Sequence, residues 1–225
     1  MDIDEKWQTI AGQRAVLADV LTGLSDRDLD RPSVCARWRV RDVAAHVALT
    51  PCSPSLPRIL ASALRARGDF DEVNRTSAVG YAERLGPALA GELQAVASSR
   101  RKPAITTVDN LLFDTIVHVQ DVAQPHGVEV DVPQDGAREG ADRVWRMGWP
   151  FWARRRLRGL ELAATDTDWM RGYGEPVRGT IRDLLLLLTG RTEAALPGLH
   201  GAGVRRLASH SKTRRGRAPR RRARS

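Results

Sequence analysis

TVDNLLFDTIVHVQDVAQ, residues 107–124, is the stretch on which the fold turns. Pro103 precedes it, Thr106-x-x-Asp109 offers a capping box at its start, and Pro125-His126-Gly127 stops it. Apolar residues recur through it at helical spacing, so one helix is expected over 107–124. Asp114 and His118 stand four apart, hence on one face about a turn from each other, with Leu111 and Asp121 on the same stripe.

The segments before it read the same way. Trp7, Ile10, Leu17, Leu21 and Leu24 make one stripe of a helix over 4–24, which Ser25-Asp26 and Arg31-Pro32-Ser33 bring to a stop. A second helix is expected from just after Trp38 to Thr50, buried along Val40, Val43 and Val47 and ended by Pro51 and Pro54. A third, Leu56–Arg67, closes at Gly68 and is followed by a polar connection to about Gly80. Tyr81–Ser98 is expected to be helical, kinked or divided at Gly86-Pro87. Four or more amphipathic helices without a strand signal predict an α-helical bundle domain over 1–127.

The character then changes. Gly127–Gly140, rich in Asp, Gly and Pro, is expected to be a domain boundary, and 141–204 a small α/β module. There Ala141–Arg158 reads as a helix carrying Trp145, Trp149 and Trp152 on its core side. Leu160–Ala164 reads as a strand, Asp166–Trp169 as the beginning of a return strand, and Thr180-x-x-Asp183 as the cap of a Leu184–Leu188 helix ended by Gly190. Residues 205–225 are low-complexity and basic, and are expected to form a disordered tail whose removal leaves the fold intact.

Charge narrows the functional classes. Lys and Arg number 36 against 27 acids, but nine Arg and one Lys fall in 205–225. Residues 1–204 are then nearly neutral, which argues against a nucleic-acid-binding fold and leaves only weak, non-specific binding through the tail. Two cysteines, Cys35 and Cys52, are too few for a disulfide framework or a thiolate zinc site. The acidic start MDIDEKWQTI lacks the apolar run of a signal peptide, and Leu184–Leu188 is far short of a membrane span. A cytoplasmic protein without a membrane partner is expected.

Chemistry concentrates on few residues. His46 lies in the apolar run Val43-Ala44-Ala45-His46-Val47-Ala48, where an imidazole needs a partner: a carbonyl, a neighbouring acid or a metal. Asp114 and His118 allow the same alternatives, an Asp–His hydrogen bond or joint metal ligation. Bundles build metal sites from facing helices, and two His plus one carboxylate with a position left open is the ligand count of a catalytic zinc. His126, His200 and His210 are expected to face solvent. No phosphate-binding glycine loop, nucleophile elbow or nucleotide fingerprint is present.

The run Arg31-Pro-Ser-x-Cys-x-x-Trp38-x-Val-x-Asp42-Val-x-x-His46 resembles the opening signature of the mycothiol-dependent maleylpyruvate isomerase family, within the DinB-like metal-dependent bundles. Phe113-Asp114-Thr-Ile-Val-His118-x-x-Asp121-x-x-x-Pro125-x-Gly127 is similar to its second signature. Asp166-x-x-Trp169, Gly179 and Leu184-x-Leu-x-Leu-x-Gly190-Arg191 resemble its sterol-carrier-like C-terminal module. The resemblance implies a mainly α fold with an N-terminal four-helix bundle. It also implies a divalent metal, zinc in the characterised isomerase, on His46, Asp114 and His118, with Asp121 behind them. The isomerase carries Glu where this chain has Asp114, a side chain shorter by one methylene.

By the same resemblance the chain is an enzyme of the isomerase or S-transferase type, with mycothiol as thiol cosubstrate and a small electrophile as substrate. Arg178, Arg182 or Arg191 would hold a substrate carboxylate. Two other readings stand beside it: a non-catalytic metal-binding or regulatory bundle, and a nucleic-acid-associated protein acting through its tail.

Overall fold

Asp2 starts the first helix. Its carboxylate accepts the Glu5 N–H while the Glu5 carboxylate accepts the Asp2 N–H, so two of the free donors at the helix start are satisfied reciprocally. The computed structural model describes residues 1–52 and 70–209, and the chain divides into two compact units between Arg143 and Val144. The expected helix at Leu56–Arg67 lies outside the described residues.

The first unit contains α1 (Ile3–Thr22), α2 (Asp26–Leu29), α3 (Val40–Leu49), α4 (Phe70–Leu85), α5 (Leu89–Val96), α6 (Val108–Ala123) and nearly all of α7 (Gln134–Arg146). Helix α1 packs along α6 and α5, while α3 packs against α4, α5 and α6. Their shared core includes Leu17, Leu21, Val43, Val47, Tyr81, Leu93, Val119 and Val122. Each large apolar side chain so buried contributes about 1.5–3 kcal/mol. The interrupted pair α4–α5 occupies one position of the bundle, divided at Gly86–Ala88 as Gly86-Pro87 leads one to expect.

Arg14 is the exception inside this apolar interior. Its side chain is fully buried, yet among the described residues no carboxylate pairs with it. Its guanidinium instead donates to the carbonyls of Ala97 at 3.3 Å and Ser99 at 2.8 Å, just past the C-terminus of α5, and to Thr50 Oγ1 at 3.1 Å. Burial pulls its pKa down to about 10, so it remains a cation at neutral pH, placed where the helix dipole is negative. It ties α1 to the ends of α3 and α5.

The second unit holds a three-stranded sheet in the order β2-β1-β3, formed by β1 (Leu160–Ala164), β2 (Met170–Gly172) and β3 (Glu175–Gly179). Strand β2 is antiparallel to β1 and β3 is parallel to it, so the chain must cross the start of β1 within two residues. Gly172 and Gly174 allow this: both have positive φ, and a Cβ on them would lie 2.3 Å from the Leu160 oxygen and 2.2 Å from the Gly159 oxygen. Helix α9 (Ile181–Leu188) follows α8 (Ala153–Arg156) and the sheet, and precedes α10 (Thr192–Ala195). Thr180 caps α9 by accepting from the Asp183 N–H. The helix ends in a Schellman turn, with Gly190 N–H on the Leu187 carbonyl and Arg191 N–H on that of Leu186. Leu184–Leu188 are buried on every side, as an all-apolar helix requires.

Several expectations need correction. The polar connection before Gly80 is helical from Phe70, supported by Glu72 pairing with Arg75 one turn on and by Ala78, Tyr81 and Ala82 on its buried side. Thr107, not Thr106, caps α6, accepting from the Asn110 N–H at 3.1 Å. The helix expected at 141–158 begins at Gln134 and stops at Arg146, because Gly148, Pro150 and a left-handed Trp152 break the ladder. The bundle unit thereby extends past residue 127, with Gly136 seated against Thr9, Leu112 and Ile116. Trp149 and Trp152 are consequently more than half exposed rather than in the core. The return strand starts at Met170, after a bend over Asp166–Asp168.

Finally, the basic C-terminal segment is not all tail: residues 204–209 are helical and Leu207 is buried. Gly203 places this helix against the sheet, since a Cβ there would meet Val177 and Leu160 within 2.8 Å. From residue 210 onward the segment lies outside the described residues.

Two outcomes follow for stability. Arg14→Ala leaves the Ala97 and Ser99 carbonyls and the Thr50 hydroxyl without their donor in a dry interior, and is expected to cost about 3 kcal/mol in urea unfolding. Truncation after Val204 removes Leu207 and is expected to destabilise the protein by about 2 kcal/mol, as Leu207→Ala should by itself.

Candidate metal centre

Two helix starts bring the site residues to their places. Asp42 begins α3: its carboxylate accepts the Arg39 N–H at 2.9 Å and the Arg39 guanidinium at 3.0 and 2.8 Å. Thr107 begins α6. His46 then faces α6 from the second turn of α3, and Asp114 and His118 face α3 from the middle of α6.

The three side chains meet. His46 Nε2 lies 3.3 Å from Asp114 Oδ2, and His118 Nε2 lies 3.3 Å from Asp114 Oδ1. One ligand-type atom from each of the three falls within 4.8 Å of the others. The imidazole rings stand edge to face, 5.1 Å between centroids and 78° between planes. Behind them Asp121, which has no exposed surface, accepts from or shares a proton with His118 Nδ1 at 2.9 Å. That contact directs Nε2 of His118 toward the centre.

The charges are coupled. Burial by itself would raise the Asp114 pKa, but His118 and His46 outweigh it and hold the carboxyl well below the usual carboxylate range. Burial would lower His118, but Asp114 foremost and Asp121 with it push its pKa up to about 9. A proton on His118 thus neutralises part of the acid charge that a divalent cation would otherwise neutralise.

A donor set of two imidazoles and one carboxylate, converging within 4.8 Å and backed by a carboxylate on one imidazole, fits a divalent cation such as zinc. Asp114, although shorter than a glutamate, reaches both imidazoles with separate oxygens.

The other expected residues are placed differently. Arg182 is held by Asp183 Oδ1 at 3.0 and 2.9 Å, and Arg191 donates to the Thr189 carbonyl at 3.0 Å. The exposed Arg178 side chain makes no hydrogen bond or ion pair among the described residues. His126 is not solvated: its side chain is 5% exposed, with Nδ1 4.0 Å from Asp28 Oδ1. His200 is exposed and pairs through its backbone with Arg178. His210 lies outside the described residues. Cys35 packs partly buried against the bundle core and Cys52 is exposed. Trp38, which in the sequence marks a helix start and belongs to the first signature, stands T-shaped to His46 at 5.6 Å and 84°.

A helical bundle presenting a His–Asp–His cluster, followed by a small α/β unit, is the class that fold and site define. Within it, the chain belongs to the family described as the mycothiol maleylpyruvate isomerase N-terminal domain, which matches residues 10–123. The crystal structure of the mycothiol-dependent maleylpyruvate isomerase is similar in fold, with a TM-score of 0.61 at 16% identity over 90% of this chain and 93% of that one. A histidine-to-alanine mutant of the isomerase gives a TM-score of 0.58 at the same identity and coverage. No curated protein matches the sequence. No helix among the described residues is long and apolar enough to cross a membrane.

Metal and proton compete for His118. Because its pKa in the metal-free protein is about 9, the apparent zinc affinity is expected to rise with pH from neutrality toward 9, by up to about tenfold per unit, and then to level off. Calorimetric zinc titrations in two buffers of different ionisation enthalpy should report close to one proton released at pH 7.5. No proton release would contradict the coupling.

Proposed function

We propose that this protein is a thiol-dependent enzyme that uses mycothiol on a small electrophile, with a divalent cation, zinc foremost, held by His46, Asp114 and His118. The observation that carries this reading is the convergence of the three ligand-type atoms within 4.8 Å in a member of the isomerase family. The likeness in fold to a mycothiol-dependent isomerase supports it.

A divalent cation in this site would supply a Lewis acid beside which a thiol gives up its proton near neutral pH. The residues of the chain do the remaining work. Asp121 keeps the His118 ring turned so that Nε2 faces the centre. Asp114 holds its charge between two imidazoles and so limits the net charge of the ligand set to −1. Along the same helices Val43 and Val47 on α3 and Val117 and Val122 on α6 are all buried.

The thiolate sulfur then forms a bond to an electrophilic carbon. Expulsion of the same sulfur after rotation yields an isomer and regenerates the thiol; loss of another leaving group yields the thioether. Among Arg178, Arg182 and Arg191, Arg178 is the candidate for a substrate carboxylate, since the guanidinia of the other two are already engaged. Neither cysteine of the chain is assigned the nucleophilic role.

Metal content by plasma emission spectrometry, followed by a screen of electrophiles with and without mycothiol, tests the reading. Wild-type protein is expected to carry about one zinc per chain and to turn over an electrophile only with added thiol. His118→Ala is expected to lose the zinc and at least about 100-fold of that turnover, since two protein ligands rarely retain zinc. Equal zinc content in wild type and His118→Ala, or full turnover after chelation, would overturn it.

A further inference from the structure

The two histidines of the centre are held by different means. His118 has a hydrogen-bonded support, Asp121 on Nδ1. For His46, Nε2 faces Asp114, and among the described residues Nδ1 makes no hydrogen bond. Apart from Asp114, the contacts on the His46 ring are aromatic and lie on two sides. Trp38 lies at 5.6 Å and 84°, and His118 at 5.1 Å and 78°, so His46 is held in a double edge-to-face arrangement.

Trp38 is itself firmly placed. It packs against the apolar core of the bundle, at the end of a turn whose backbone is tied at several points. Ser33 N–H donates to the Trp38 carbonyl at 2.9 Å, the Ser33 hydroxyl donates to it at 3.0 Å, and Trp38 N–H donates to the Cys35 carbonyl at 3.1 Å. Arg37, immediately before it, has φ of +74°, a left-handed conformation that is unfavourable for a residue other than glycine. Such a conformation persists only where its surroundings enforce it. The same turn reaches the second histidine's support, because Val34 N–H donates to the Asp121 carbonyl at 3.2 Å.

From this geometry we infer that Trp38 is a positioning residue for metal binding: its ring, set at a right angle to that of His46, stands in for a hydrogen bond on His46 and selects the ring orientation in which Nε2 meets Asp114 and His118. The inference rests on His46 being a metal ligand. It assigns the turn 32–39 the task of setting both imidazoles, one through Trp38 and one through Asp121. Phenylalanine can supply a ring edge in the same place, whereas leucine fills space without one.

The full-length protein, stripped with chelator, is titrated with cobalt(II) and followed by calorimetry and by visible absorption, alongside Trp38→Phe and Trp38→Leu. Trp38→Leu is expected to bind cobalt about tenfold more weakly, the loss typical when the support of a metal-ligating histidine is removed, and to show an altered absorption envelope at saturation. Trp38→Phe should stay within about threefold of wild type with an unchanged envelope. A purely structural role would lower the melting temperature of both variants and leave affinity and envelope of the folded fraction unchanged, which would overturn the inference. If wild type takes up no cobalt, the metal site falls and the inference with it. If wild type binds and Trp38→Leu binds equally well, the inference alone falls. Should Trp38→Leu not fold, Trp38→Met, which fills the space without a ring edge, carries the same comparison.

Discussion

A carboxylate flanked by two imidazoles inside a bundle of valines and leucines is tolerable only if the three groups meet, and the first unit is arranged around that requirement. Each group alone would have to give up much of its water without a partner, an unfavourable step for a charged group. Together they share protons and charge, with Asp114 bridging α3 and α6 through separate oxygens. A buried charged cluster of this kind does little for net stability, since desolvation roughly cancels attraction. Its effect is on register. Sliding α6 by one turn against α3 would separate Asp114 from His46, leaving the half-buried imidazole without its partner and Asp114 with His118 alone. The apolar contacts of Val43, Val47, Val119 and Val122 tolerate many registers; the polar cluster selects one.

Arg14 imposes the same kind of constraint at another place in the bundle. It is a cation satisfied by carbonyls rather than by acids, and its reach defines where α5 must end relative to α1 and Thr50. Both polar devices join helices distant in sequence.

How much of this was legible in the sequence depended on whether the signal was local. The α6 helix, the i,i+4 relation of Asp114 and His118, and the oddity of an imidazole among alanines and valines at His46 are all visible within a dozen residues. Strand β3 was missed because its partner β1 lies in parallel beyond an intervening strand, and because Pro176 and Arg178 obscure the alternation. The first half of α4 was missed because its support is polar, with Glu72–Arg75 and Arg37–Glu72 pairs in place of an apolar stripe. The helix expected over 141–158 stops at Arg146, ahead of the breakers Gly148 and Pro150 that are plain in the sequence. The left-handed Trp152 beyond them is a conformation no composition rule assigns to tryptophan. Trp38 shows the limit most clearly. It stands eight residues from His46, and a left-handed Arg37 immediately precedes it in the chain.

The unequal support of the two histidines follows from where each stands on its helix. His118 lies mid-helix in α6 with a residue three positions on, Asp121, within reach of its Nδ1, so the helix itself supplies the support. His46 is seven residues into α3, and the corresponding position three on is Leu49, which offers no acceptor. The support for His46 must come from outside its helix, and the nearest available chain is the turn that leads into α3. That turn is costly to build, with a positive φ at Arg37 and successive hydrogen bonds at Ser33, Val34 and Trp38. The cost is understandable if the turn must do two things at once: close the N-terminal end of α3 with Arg39 on Asp42, and deliver Trp38 onto a ring that α3 cannot orient for itself.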